Sequence, residues 1–213
     1  MTDSVGVDNS IACRAILFNI NKNKWSKFAL NLFGVPESWL PSIVPDKHNY
    51  GTIFNSNIEL KVVIGDQQAA FIGNNGLQQN TLAANYGTSA SIQLNVGPSP
   101  KIINDLISSI LFSNSKEKVF IVEGKNKFRV GNDLIVSDGA ARTSLLQFIA
   151  DTTGKNIHLT KLKDKTAYGV LKILLDQQDQ ISNVRLSKKI IFYPKNENKS
   201  KVDKWQKSIN SYL

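Results

Sequence analysis

A layered α/β fold is predicted for this 213-residue chain by three features. Strand-like runs alternate with helix-like ones, two strands stop at small-residue turns that carry an acid, and no repeat recurs at a fixed period. "RAILFNI" (14–20) reads as a strand. Trp25, Phe28, Leu32 and Phe33 then recur at helical spacing until Gly34 and Pro36 stop the helix. A proline-bearing connection leads to "ELKVVI" (59–64), a β-branched run ending in "GDQQ". Val62, Val63 and Ile64 are expected inside a sheet, Gly65 is expected to turn the chain, and Ala69, Ala70 and Phe71 to open a tightly packed helix.

"NYGTSASIQLNVG" (85–97) is a hydroxyl-rich turn feeding an alternating strand, with Ile92, Leu94 and Val96 on one face. Apolar residues at 102, 103, 106, 107, 110 and 111 give "KIINDLISSILF" a helix face. "EKVFIVEG" (117–124) and "DLIVSDGA" (133–140) read as strands. "SLLQFIADTTG" is a helix closed by Gly154, "IHLTKL" a short strand and "TAYGVLKILLDQ" a helix. A lysine-rich spacer precedes a final helix, "VDKWQKSINSY".

Charge and composition narrow the function classes. The net charge is +9, but the lysines are dispersed, and neither an arginine-rich patch nor interleaved aromatics is present. Nucleic acid is therefore an unlikely partner. No apolar stretch is long enough to span a membrane, the N-terminus lacks a signal pattern, and Cys13 alone allows no intrachain disulfide. A cytoplasmic protein is expected. His48 and His158 have no neighbours at metal-ligand spacing, so no resident metal is expected, and no Ser-His-Asp arrangement has an evident nucleophile.

What remains is a set of turns: "IGDQQ", "SDGAA" and "YGTS". Small residues there let a phosphate or sugar approach backbone N–H groups. Asp66 has two readings. It is a helix N-cap, worth about 1 kcal/mol, or a carboxylate facing a ligand at a strand end.

"GDQQAA" followed by "YGTS" resembles the FGGY carbohydrate kinases, their glycerol kinase-like members above all, and the resemblance extends over nearly all of residues 10 to 210. It implies an actin-like ATPase domain of the ribonuclease H-like type, a mixed sheet flanked by helices. It also implies a transferase of carbohydrate metabolism, with substrate and ATP held between two such domains. By the same resemblance Asp66 is the general base on the accepting hydroxyl and Gln67 touches the polyol. Gly87 and Thr88 lie near the ATP phosphates, and Gly139 with Ala140 forms the nucleotide-side turn, where the family has a second glycine. Ser144 or Arg142 takes the position of a family asparagine. Mg²⁺ comes with the nucleotide.

The resemblance divides the chain into a lead-in (1–60) and a C-terminal actin-like domain (61–213) shortened between Gly97 and Pro100. It leaves the N-terminal domain to a separate chain. The function it implies is ATP-dependent phosphoryl transfer to a polyol or sugar hydroxyl, glycerol foremost, with the isolated chain inactive. The alternative is a catalytically inactive actin-like remnant that binds or regulates. One conflict stands: the resemblance places helix where "EKVFIVEG" reads as strand.

Overall fold

The computed structural model describes residues 5–86, 90–124, 131–137, 142–160, 162, 164–175, 190–195, 200, 203 and 204. Its first third is built from short pieces: β1 (Gly6–Asp8), α1 (Asn9–Ala12), β2 (Phe18–Asn19), β3 (Lys24–Trp25), α2 (Lys27–Phe33) and β4 (Ser42–Val44). β1 pairs in parallel with β4, and β2 pairs antiparallel with β3. Ser26 caps α2 by accepting the Ala29 N–H, and Gly34 ends it in the left-handed region (φ 65°). The helix is where its pattern predicts, but its sides are reversed. Ala29 and Leu30 are buried, whereas Phe28, Leu32 and Phe33 face outward. "RAILFNI" is mostly turn, with only its end in β2.

The 59–64 run also departs from expectation. It joins no sheet. Isolated bridges, Lys47 with Val62 and Thr52 with Glu59, hold it extended. It then enters α3 (Asp66–Gly73). Gly65 caps this helix in ordinary extended backbone (φ −59°, ψ 142°), so left-handed freedom is not why glycine stands there. A side chain at 65 would collide with the Gln68 carboxamide.

The main sheet comprises β5 (Leu82–Tyr86), β6 (Ala90–Gly97), β7 (Ile107–Ser113), β8 (Lys118–Gly124), β9 (Asp133–Ser137), β10 (Asn156–Leu159) and β11 (Ile190–Phe192). Their order is β11-β10-β9-β5-β6-β8-β7. β10, β9 and β5 run parallel, and the remaining pairings are antiparallel. One face, with Leu82, Leu94, Val96, Val122 and Val136, is covered by Leu146 and Ala150 of α4 (Thr143–Thr153). Phe71 and Ile72 of α3, with Ile173 of α5 (Lys165–Leu175), cover Ala83, Leu111 and Ile121 on the other face. A mixed sheet flanked by helices is the result, as the sequence predicts.

The alternation over Ile92, Leu94 and Val96 does build β6, and "EKVFIVEG" is strand β8, which settles the conflict for the strand. "KIINDLISSILF" is not a helix. Its second half is β7, whose register shift between Ile110 and Phe112 puts Ile110 in one core and Leu111 and Phe112 in the other. The predicted final helix falls almost wholly outside the described residues.

Candidate active site

Asp66 is the first residue of α3, one position past the cap, and it is exposed. Its Oδ1 accepts the Gln67 N–H at 2.7 Å, and a carboxylate in the first turn is favoured by the helix dipole. Because residues 62–64 lie outside the sheet, Asp66 is not at the end of a sheet strand. It is presented by a helix that crosses the sheet face. Near the start of α3, Gln67 Oε1 accepts from Arg14 Nη2 at 3.3 Å. The Arg14 guanidinium grips Glu123 of β8 at 2.6 and 3.2 Å, and the Ser109 hydroxyl of β7 donates to the same carboxylate at 2.7 Å. At the far end of α3 the Asn74 amide reaches Ser137 of β9 at 3.4 Å and takes a bond from the Thr160 hydroxyl at 3.0 Å.

Glu123 is 5 % exposed and Arg14 is its only ion-pair partner among the described residues, so the pair is a fixed support for Gln67. Sequence reading passed over it. The available signal was an ionisable residue at the end of "VFIVEG", a run otherwise buried. Gln68, beside the predicted pair, is 2 % exposed, and its Nε2 has no hydrogen-bond partner among the described residues; the same holds for Gln93 Nε2 and Asn85 Oδ1 on the strands below. The sheet face carrying Glu123 thus holds the polar Asn85, Gln93 and Glu123 beside an apolar patch under Phe71 and Ile72.

The other predicted residues divide into two groups. Gly87, Thr88, Gly139 and Ala140 lie outside the described residues. The strands that lead to them are neighbours, with Asn85 of β5 level with Ser137 of β9 in parallel register, so β5 and β9 finish at the same end of the sheet. Ser144 is exposed in the first turn of α4, on the opposite sheet face from α3, and Arg142 is the residue before that helix. The structure therefore brings together Asp66, Gln67, Arg14 and Glu123, and does not bring Ser144 to them.

A cleft of about 210 Å³ opens at the far end of α3, lined by residues that include Asn74, Thr81, Asp133, His158 and Thr160. Neither Asp66 nor Gln67 lines it. Asp133 hydrogen-bonds the His158 ring at 2.7 Å, which holds its carboxyl below the usual range. Among the described residues no group of three or more His, Cys, Asp or Glu could hold a metal, and no helix is long and apolar enough to cross a membrane.

Comparison with known proteins agrees with part of this reading and corrects one expectation. Residues 1–84 match the N-terminal domain of the FGGY family of carbohydrate kinases. Glycerol kinase 2 of Sulfolobus acidocaldarius is 37% identical over 119 residues, which is 55% of this chain and 24% of that protein. Glycerol kinase of Ligilactobacillus salivarius is 32% identical over 151 residues, 68% of this chain and 27% of that protein. The matched part thus spans about a quarter of the length of these relatives. In three dimensions the chain is similar to Plasmodium falciparum glycerol kinase with ADP (TM-score 0.84, 18% identity, 99% of this chain and 64% of that one). It is also similar to xylulose kinase from Lactobacillus acidophilus (TM-score 0.76, 12% identity, 96% of this chain and 63% of that one).

The fold is accordingly the mixed α/β, actin-like one of the FGGY kinases. The expectation that the chain holds only the family's C-terminal domain is overturned. The matched segment is N-terminal-domain sequence, and the Asp66 turn lies inside it. A likeness read from "GDQQAA" and the strands after it gave too little weight to residues 1–60, which fold with that turn. Residues 1–84 are thus similar to the N-terminal domain of the FGGY carbohydrate kinases, and the chain is related, over part of its length, to part of the glycerol kinases.

Proposed function

We propose that this chain contributes to ATP-dependent phosphoryl transfer onto a polyol or sugar hydroxyl, glycerol foremost, with Asp66 as the general base. The observation that carries the reading is the "GDQQAA" turn, set at the start of α3 with its carboxylate free of any ion pair among the described residues. Phosphoryl transfer asks the protein for alignment and charge neutralisation more than covalent chemistry. A carboxylate at a helix start can accept the hydroxyl proton as the hydroxyl attacks phosphorus. Gln67, steadied by Arg14, offers its amide N–H₂ to a neighbouring hydroxyl. Gly87, Thr88, Gly139 and Ala140 are assigned to Mg-ATP, with Ser144 beside the nucleotide as the weakest assignment.

Asp66 is open to water here, and a base of this kind works in a closed, dry site. The reading therefore includes further FGGY kinase sequence that completes the cleft. A catalytically inactive module that binds or regulates is the second reading. It is favoured by Gln67, whose oxygen is already taken by Arg14.

Glycerol titration of the isotope-labelled chain, followed by NMR, tests the substrate assignment. Amide shifts are expected at Asp66 and Gln67, saturating with a Kd on the order of a millimolar or weaker. Shifts confined to the Asp133–His158 cleft, or absent altogether, would place the polyol elsewhere.

A further inference from the structure

Behind the Gly65–Asp66 turn lies a buried acidic pair that the proposed chemistry does not use. Asp8 is 3 % exposed and Asp46 0 %, and both carboxyls are held on one residue, Ser10. Ser10 bridges them: its N–H donates to Asp46 Oδ1 at 2.9 Å, and its hydroxyl donates to Asp8 Oδ1. Asp8 Oδ1 also takes the Ile11 N–H at 3.0 Å, and Asp46 Oδ2 takes the Ser113 hydroxyl at 2.5 Å. The Ser10 oxygen in turn accepts the Gly65 N–H at 2.8 Å. A three-link chain thus runs from the carboxyls to the backbone that presents Asp66.

No cation neutralises the pair among the described contacts. The Arg14 guanidinium is on Glu123, and Lys47 Nζ is on the Ile173 carbonyl at 2.9 Å. The other titratable neighbours are Tyr50, whose hydroxyl donates to the Pro45 carbonyl, and Cys13, whose sulfur accepts the Ile110 N–H. Burial pushes both upward, the thiol to about 11, so neither adds charge near neutral pH. Two carboxyls buried about one serine, with no cation beside them, cannot both keep their charge at little cost, so one of them holds a proton.

We propose that this buried pair keeps one proton, and that the proton, acting through Ser10, holds the Gly65–Asp66 turn in place. The inference deepens the reading of Asp66 as the reacting carboxylate and rests on it. Asp8 and Asp46 are positioning residues: loss of the proton sets two buried negative charges against each other and draws Ser10 away from Gly65. Burial, aided by the Asp8 charge and opposed by the Ser113 and Ser10 bonds, pushes the Asp46 carboxyl up to about 7. The folded state then holds the proton more tightly than the unfolded chain. Stability from this group is full below the unfolded value of 3.8 and is lost as pH rises through about 7.

The test follows the Gly65 amide of the full chain by NMR between about pH 5 and about pH 9. Its resonance is expected to titrate with a midpoint near 7, and its hydrogen exchange, corrected for hydroxide, to quicken by about tenfold or more above that midpoint. Asp46→Asn carries its own donor and is expected to abolish the titration; Asp8→Asn serves if that variant does not fold. A Gly65 amide that is unmoved across the range in the wild type, or a titration that survives in the folded variant, overturns the proposal. No turnover is read in this experiment. Its failure would leave the role of Asp66 standing, whereas loss of that role would leave the Gly65 titration intact.

Discussion

At the scale of the residue, the support under Gln67 is an ion pair of unequal burial. Glu123 is almost fully buried, while the Arg14 side chain keeps 33% of its surface. Removing the arginine leaves the Glu123 carboxylate in the core with the Ser109 hydroxyl but no cation, a large effect for a buried charge. Arg14→Met is expected to cost about 3 kcal/mol in urea unfolding, the low end for a buried pair because water still reaches the guanidinium. Adding Glu123→Gln should restore part of that loss. If the single substitution costs under about 0.5 kcal/mol, the pair contributes no more than an ordinary surface bridge. Asp66 and Gln67 stand out in the sequence because "GDQQ" is local. Arg14 and Glu123 do not, because they are 109 positions apart and only the fold brings them together.

The elements show the same division. Helices α3, α4 and α5 and strands β6, β8, β9 and β10 stand where periodicity and caps place them, since each has a short-range signal of its own. Strand β7 was misread because both its faces are covered, which removes the alternation that marks a half-buried strand. The 59–64 run looked like a core strand by composition, yet it pairs only through isolated bridges. The join between α3 and α5 depends on small residues. A methyl group at Gly169 would meet the Ala69 carbonyl oxygen, and one at Gly73 would meet the Lys165 carbonyl oxygen. Gly169→Ala must push the helices apart, and is expected to cost about 1–3 kcal/mol, seen as a lowered melting temperature. An unchanged melting temperature would mean that the crossing is looser than its geometry indicates.

For the whole molecule, the layered architecture follows from alternating elements, each of which buries one face. Which part of the kinase the chain represents was not readable from the turns alone. The family match over residues 1–84 assigns the Asp66 turn to the N-terminal domain, while the main sheet runs on from β5 to β11. The central claim is that Asp66 is the base of a kinase site that more sequence must close. Its most direct measurement is ATP-dependent glycerol phosphorylation by the chain alone, and by the chain combined with a complementing FGGY kinase fragment, each as wild type and as Asp66→Asn. The chain alone is expected to show no turnover. The combined protein is expected to be active, and to lose about 10²–10⁴-fold in kcat with Asp66→Asn. An Asp66→Asn complex with undiminished kcat, or turnover of about 1–100 per second by the chain alone, would contradict the account.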